Sequence, residues 1–300
     1  MCRLIAGVSS NRNGSRQLAM LARALVDAAR RDPYLERLTG GKARSHCHGY
    51  GYVLITSHTR GPPWRVRYEK FDSYTPGEDR DPGRACRSNL ERLEEAVESV
   101  SQTLLGAERA YLILHARRAG RREPRGTVHA HPYHETVHTR DGPVEMWLAH
   151  NGGLKKDELA GELGVEAASY TDTGLLAAWI ARRAEEDKED KKIAKALGEG
   201  YKHVKSAYIV AVLTLASKPS QDPGLLLAVG LPGWKEKEAE RADYYRPLLY
   251  RSDGIFAYAS STVEIYGENH GLEKKGFSEI TVGKGPKIIR LTKDGPSRAL

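Results

Sequence analysis

Apolar residues recur along the chain with two alternating periods. Arg3 to Val8 is a short apolar run of the kind that forms a buried strand, and it ends in the polar, glycine-containing stretch 9–14. From Ser15 the period lengthens. Leu18, Leu21, Ala22, Leu25, Ala28 and Ala29 lie at helical spacing, with Ser15 as the expected N-cap and Gly40-Gly41 closing the region. Gly49 to Ser57 and Arg65 to Phe71 predict two strands joined by the turn Thr59-Arg60-Gly61-Pro62-Pro63. The stretch from Asp72 to Gly83, rich in Asp, Gly and Pro, predicts a loop. Ser88 to Leu105 predicts a helix with Leu90, Leu93, Val97 and Leu104 on one face.

The second half repeats the alternation. Ala110 to Leu114 and Val144 to Ala149 read as buried strands that deliver His115-Ala116-Arg117 and His150-Asn151-Gly152-Gly153 at their ends. Tyr170 to Thr173 starts a helix whose apolar side carries Leu175, Leu176, Trp179 and Ile180, and Glu185 to Lys195 is a charged helical stretch. Further strands are expected at Ala207–Leu215, Gly224–Val229, Leu248–Arg251, Ile255–Ser260, Ile280–Val282 and Lys287–Leu291. Helices flanking two groups of antiparallel strands predict an α+β fold, a four-layer αββα sandwich. With no repeat and no linker, residues 1–300 are expected to form one domain, with 262–300 as its C-terminal extension.

Composition narrows the classes. At 300 residues and 40% hydrophobic content the chain can bury a sizeable core. The net charge of +8 would suit a nucleic-acid binder, but the basic residues are mixed with acidic ones and no nucleic-acid module accompanies them, so no nucleic acid is expected as a partner. The apolar run around Ala207 to Ala216 is too short to span a bilayer, and no signal-peptide core precedes the polar stretch at Ser9. That excludes a membrane partner, and the three cysteines, Cys2, Cys47 and Cys86, an odd number without a disulfide or CxxC pattern, lead to the expectation of a reducing cytoplasm.

Cys2 is the first candidate for chemistry. Removal of Met1 would make it a terminal residue carrying a thiol of pKa about 8.5 beside an amine of pKa about 8, a nucleophile and a base in one residue. Arg117, Asn151 and Asp172 are expected at the ends of regular elements, where scaffolds present functional groups. Each also has a plain reading. Arg117 lies among Arg118, Arg121, Arg122 and Arg125 and could be a solvated arginine. Asn151-Gly152 is a common turn dipeptide, and Asp172 could be a helix-start charge favoured by the macrodipole.

Taken in order, Met1-Cys2-Arg3-Leu4, His115-Ala116-Arg117, His129-Ala130-His131-Pro132, Ala149-His150-Asn151-Gly152-Gly153 and Thr171-Asp172-Thr173 resemble the ordered motifs of class II glutamine amidotransferases. These belong to the N-terminal-nucleophile (Ntn) hydrolases. The resemblance spans roughly Cys2 to Ser261 and implies the Ntn-hydrolase sandwich and no cofactor. It further implies that Cys2 attacks the side-chain amide of glutamine, and that Asn151 and the Gly152 N–H form an oxyanion hole. Arg117 would clamp the α-carboxylate and Asp172 the α-ammonium. The chain departs from the family pattern at Arg118-Ala119-Gly120, where a hydroxyl is missing from the substrate-covering loop, at His129 in place of Asn, and at Gly174 in place of an acid. These departures leave a larger γ-glutamyl compound open as substrate.

Two alternatives stand beside this reading. One is a non-catalytic relative that binds an amino acid or a partner. The other is a zinc protein using His129, His131, His134 and His138 or His46-Cys47-His48, although β-branched neighbours favour a strand over the helix that a shared zinc site would need. No phosphate loop or dinucleotide fingerprint supplies an acceptor chemistry. Either a separate ammonia-accepting synthase subunit is the expected partner, or the protein hydrolyses an amide for its own sake.

Overall fold

The computed structural model describes residues 2–59, 61–75, 82–120, 123–186, 192–218, 220–233 and 238–299. Met1, Arg60, Arg121, Arg122, part of the loop expected at 72–83 and part of the charged stretch at 185–195 lie outside them. In chain order the elements are β1 (Cys2–Ser9), α1 (Arg12–Arg30), α2 (Pro33–Leu38), β2 (Tyr50–Ser57), β3 (Arg65–Phe71), α3 (Pro82–Leu105), β4 (Arg109–Arg117), β5 (Tyr133–Thr139), β6 (Gly142–Leu154), α4 (Lys156–Leu163), α5 (Asp172–Glu186) and α6 (Lys192–Gly200). There follow β7 (Val204–Ala216), β8 (Gly224–Gly230), α7 (Ala239–Tyr245), β9 (Pro247–Ser252), β10 (Ile255–Ser260), α8 (Ser261–Gly267), β11 (Phe277–Glu279), β12 (Lys287–Thr292) and β13 (Gly295–Arg298).

Among the described residues the strands form two antiparallel sheets, ordered β11-β9-β10-β1-β4-β2-β3 and β13-β12-β8-β7-β6-β5. Strand alternation builds the layers. On β2, Tyr50, Tyr52 and Leu54 pack with α1 and α3 on the outer face of the first sheet. Val53 and Ile55 face the second sheet, meeting Ala149, Ile209, Ala211 and Leu227. The outer face of the second sheet carries Leu148, Val210 and Val212 against Leu175, Leu176, Trp179 and Leu197. The molecule is thus α+β, with two antiparallel sheets packed face to face and helices outside both. Residues 262–300 add β11 to one sheet and β12 and β13 to the other.

Several expectations need correction. The first helix begins at Arg12, capped by Asn11, whose Oδ1 accepts the Gly14 N–H at 2.8 Å. Ser15 is buried and bonds Ser9 instead, Oγ to Oγ 2.7 Å. Gly14 reads as turn punctuation, yet a Cβ there would lie 1.9 Å from the Gly254 carbonyl, so close packing demands the glycine inside the helix. The strand expected at Ile280–Val282 is displaced: Phe277–Glu279 pairs with Leu248–Tyr250, and Ile280 makes one last bond to the Pro247 carbonyl, 2.9 Å, before the glycine-rich segment leaves the sheet.

The cysteine expectation is also overturned. Cys47 and Cys86 form a disulfide across 39 residues of sequence, Cα to Cα 4.8 Å. Its partners meet because α3 starts earlier than the periodicity suggests and packs on the segment before β2, where the Asn89 amide donates to the Cys47 carbonyl at 2.9 Å. The disulfide removes the ground on which a reducing compartment was expected. Among the described residues no helix is long and apolar enough to cross a membrane.

A buried ionic knot ties the N-terminal strand down. Arg3, fully buried, donates through Nε to Asp32 Oδ2 at 2.6 Å and through Nη1 to the Tyr244 carbonyl at 3.0 Å. His46 Nε2 meets the same Asp32 oxygen at 2.6 Å, and Thr262 donates to Oδ1 at 2.8 Å. That Oδ1 also caps α2 through the Tyr34 and Leu35 N–H groups, both at 3.0 Å. Removing one member of such a set leaves a buried charge uncompensated, so the knot specifies where β1 begins.

Candidate functional site

Three strands carry their inward faces past the end of the apolar core. On β1, Leu4, Ala6 and Val8 fill the space between the sheets, and Cys2 continues that face. On β4, Tyr111 and Ile113 are followed on the same face by His115 and Arg117. On β6, Trp147 and Ala149 are followed by Asn151. The apolar core therefore turns polar at one end while remaining buried: Cys2 is 6% exposed, Arg117 3%, Asn151 1% and His115 0%. The strands run further than their apolar runs suggest. Arg117 and Asn151 lie within β4 and β6, not beyond them, because alternation persists where hydrophobic residues stop.

Pairing and hydrogen bonds bring these residues together. Cys2 lies opposite Arg117 in the β1–β4 register, and Leu4 opposite His115. The Cys2 N–H donates to Asn151 Oδ1 at 3.0 Å, joining the two sheets. That bond fixes the orientation of the amide and leaves Nδ2 buried without a partner. Arg117 donates Nη2 to the Pro124 carbonyl at 2.9 Å, while its Nη1 is buried and unpartnered. His115 meets the His150 carbonyl through Nε2 at 3.2 Å, and its Nδ1 is unpartnered, as is Oε2 of Glu123. Each such group costs about 1–3 kcal/mol when left unsatisfied, so several donors and acceptors gathered at one place are the chemistry of a polar ligand site.

The electrostatics favour a reactive sulfur. Burial alone would push the Cys2 thiol up, but the positive chain terminus and the His115 imidazole outweigh it and bring the pKa down to about 6. A thiol of that acidity is largely thiolate at neutral pH, the nucleophilic form. Cys2 is also the one cysteine outside the disulfide.

Gly152 follows at a point where backbones crowd. A Cβ there would lie 1.9 Å from the Ala207 carbonyl and 2.5 Å from His150 Nε2, so only glycine fits. The β6–β7 register then shifts between Gly152 and Leu154, an irregularity of the kind that re-aims strands beside functional sites. The Leu154 N–H donates to Asp172 Oδ2 at 2.9 Å, and Thr173 donates to Oδ1 at 3.2 Å. Asp172, at the first position of α5, thus holds the strand end that carries Asn151 and Gly152.

Behind this front stand further residues, of which sequence reasoning named His131 and His150 as members of the ordered motifs and left Tyr133 and Glu123 without a role. His150 contacts Thr173 Oγ1 through Nδ1 at 3.2 Å and the Ala207 carbonyl through Nε2 at 3.1 Å. Its N–H points to His131 Nδ1 at 3.5 Å, and the His131 ring lies 4.2 Å from that of His115. Burial pushes His131 well below the usual histidine range and lowers His150 as well, so both are neutral packing elements at pH 7. Tyr133 bonds Thr171 Oγ1 at 2.5 Å, and its hydroxyl feels the charges of Arg117, Asp172 and Glu123. Glu123 had one signal in the sequence: it is the only acid among the five arginines of 117–125. The arginine stretch is also less solvated than its composition suggests, since Arg118 donates to the Ser45 carbonyl at 3.0 Å and Arg125 pairs with Asp72 at 3.0 Å.

The histidine-rich stretches do not gather. His134 and His138 share the exposed face of β5, where four residues span about 13 Å. His134 bonds Glu145 at 2.6 Å, and His46 belongs to the Asp32 knot. Among the described residues no group of three or more His, Cys, Asp and Glu could hold a metal ion. A cavity of about 800 Å³ opens elsewhere, between the sheet edges near Leu249, Ile280, Ile289 and Arg298. It lacks a convergent set of buried polar groups, which is why the chemistry is placed at Cys2. No protein-family model matches the chain, and no curated protein matches it.

Proposed function

We propose that the protein is a class II glutamine amidotransferase of the Ntn-hydrolase type, acting on glutamine or a γ-glutamyl amide. The observation that carries this reading is the Cys2 N–H to Asn151 Oδ1 bond, with Arg117 directly across the sheet from Cys2. Once Met1 is removed, that nitrogen is the terminal amine. Asn151 then holds the base of the reaction beside its nucleophile.

In this mechanism the Cys2 sulfur adds to the amide carbon and the carbonyl oxygen takes up charge against Asn151 Nδ2, the buried donor that has no other partner. The Gly152 N–H is the second donor. The C–N bond breaks as the terminal amine passes a proton to the departing nitrogen, releasing ammonia and leaving a γ-glutamyl thioester. Water, deprotonated by the same amine, cleaves the thioester to glutamate and free thiol. Arg117 Nη1 binds the α-carboxylate, and Asp172 contributes negative charge on the ammonium side.

Glutamate and ammonia release from glutamine tests the reading, with Cys2→Ala as control and intact mass to establish loss of Met1. Activity in wild type and none in Cys2→Ala is expected; equal activity in both refutes it. Arg117→Ala is expected chiefly to raise KM.

A further inference from the structure

We propose that Glu123 is the carboxylate that receives the α-ammonium of the substrate, making the site selective for amino-acid zwitterions over γ-amides that lack the amine. This rests on the reading of Cys2 and Arg117 as the reactive centre, and it assigns a specificity role to a residue of the arginine-rich segment.

Asp172, the acid expected there, has both oxygens engaged, Oδ2 by the Leu154 N–H at 2.9 Å and Oδ1 by the Thr173 hydroxyl at 3.2 Å. Glu123 differs. Its Oε2 is buried without a partner, while the carboxylate accepts the Asp172 backbone N–H and its Oε1 lies 3.9 Å from the Lys156 ammonium. The next residue, Pro124, accepts the Arg117 Nη2 hydrogen bond at 2.9 Å, which sets Glu123 beside the guanidinium whose Nη1 is unpartnered. Among the described residues no ion pair joins the two side chains. An unpartnered guanidinium nitrogen and an unpartnered carboxylate oxygen on two residues within electrostatic reach of each other complement the two charges of an amino acid's α-carbon. Burial, and then the neighbouring Asp172, push the Glu123 carboxyl up, the behaviour of a negative spot that a bound cation would relieve.

The test uses the full chain and two ligand pairs. Calorimetry gives the affinities of L-glutamate and of glutarate, which differ in the α-amine. Hydrolysis is followed for L-glutamine and for 4-carbamoylbutanoate, which lacks it. Wild type is expected to bind L-glutamate at least about tenfold more tightly than glutarate, since a charge-assisted contact is worth about that factor or more. Glu123→Gln is expected to erase most of that ratio by weakening L-glutamate alone, and to raise KM for glutamine with little change in kcat. Glu123→Asp, which keeps the charge but withdraws it by one methylene, is expected to fall between, and serves if the first variant is misfolded by circular dichroism.

A ratio unchanged in Glu123→Gln, or lost instead in Asp172→Asn alone, overturns the assignment. Loss of the ratio without any glutamine turnover in wild type supports the ammonium subsite and sinks the hydrolase reading. Turnover with an unchanged ratio does the reverse, and binding of neither diacid sinks both.

Discussion

Asn151→Ala separates chemistry from stability at the centre of the site. The side chain makes one internal hydrogen bond, accepting the Cys2 N–H at 3.0 Å, and buries one donor, Nδ2, that has none. Truncation orphans the Cys2 N–H, at a cost of about 1–3 kcal/mol, and deletes an unsatisfied group that already costs about the same. The two contributions oppose, so unfolding free energy in urea should change by no more than about 1 kcal/mol. The oxyanion has no such compensation. Loss of one preorganised donor lowers kcat by about 10² to 10³, or about 2.7–4 kcal/mol of transition-state stabilisation. The assay pairs ammonia release at saturating glutamine with urea unfolding of the same preparation. Retention of kcat within about threefold refutes the oxyanion role. A stability loss above about 3 kcal/mol refutes the claim that Nδ2 is an unsatisfied donor, since removing it would then have returned nothing.

Three further outcomes follow from the charges and the cross-link. Because the Cys2 pKa is lowered to about 6 and the thiolate is the basic form, iodoacetamide labelling of Cys2 should rise with pH and be half-maximal near about 6; His115→Leu should move that midpoint upward, and an unmoved midpoint removes His115 as a cause. Asp32→Asn should cost about 3–5 kcal/mol at pH 7 by leaving the Arg3 charge buried and unpaired. Burial alone would raise the Asp32 carboxyl, but Arg3 and His46 hold it far below the usual range, so its contribution is complete above the unfolded-state pKa of about 3.9 and declines below it. The gap between wild type and Asp32→Asn should accordingly narrow below about pH 4; a gap independent of pH contradicts an ionised Asp32. For the Cys47–Cys86 bond, a closed loop of 39 residues corresponds to about 4 kcal/mol of chain entropy, so Cys47→Ser with Cys86→Ser should lose about 2–4 kcal/mol, and equal unfolding midpoints for oxidised and reduced protein would contradict the cross-link.

Much of the layer pattern is a local property and is legible in the residues themselves. The apolar run at Arg3–Val8 and the helical spacing from Leu18 to Ala29 mark β1 and α1, and the bounds of β3 and β10 coincide with the strands expected at Arg65–Phe71 and Ile255–Ser260. Short elements such as α2, α7, α8 and β13 escape because a run of four to seven residues holds too few turns of either period to register. The ends of β4 and β6 escape for a different reason. His115, Arg117 and Asn151 occupy inward positions without being hydrophobic, so pattern reading stops where the core turns polar.

What the sequence determined by itself is therefore the set of layers, the order of chemically suggestive residues, and Cys2 as the residue worth following. Tertiary structure alone decided which of them meet. Residues 2, 117 and 151 come together through a register and one hydrogen bond between sheets, and no local propensity encodes either. The same holds for the Cys47–Cys86 bond and for the buried oxygen of Glu123. Secondary structure follows from interactions a few residues apart, whereas the contacts that bring Cys2 to Arg117 and Asn151 span more than a hundred residues and exist only once the sheets have packed.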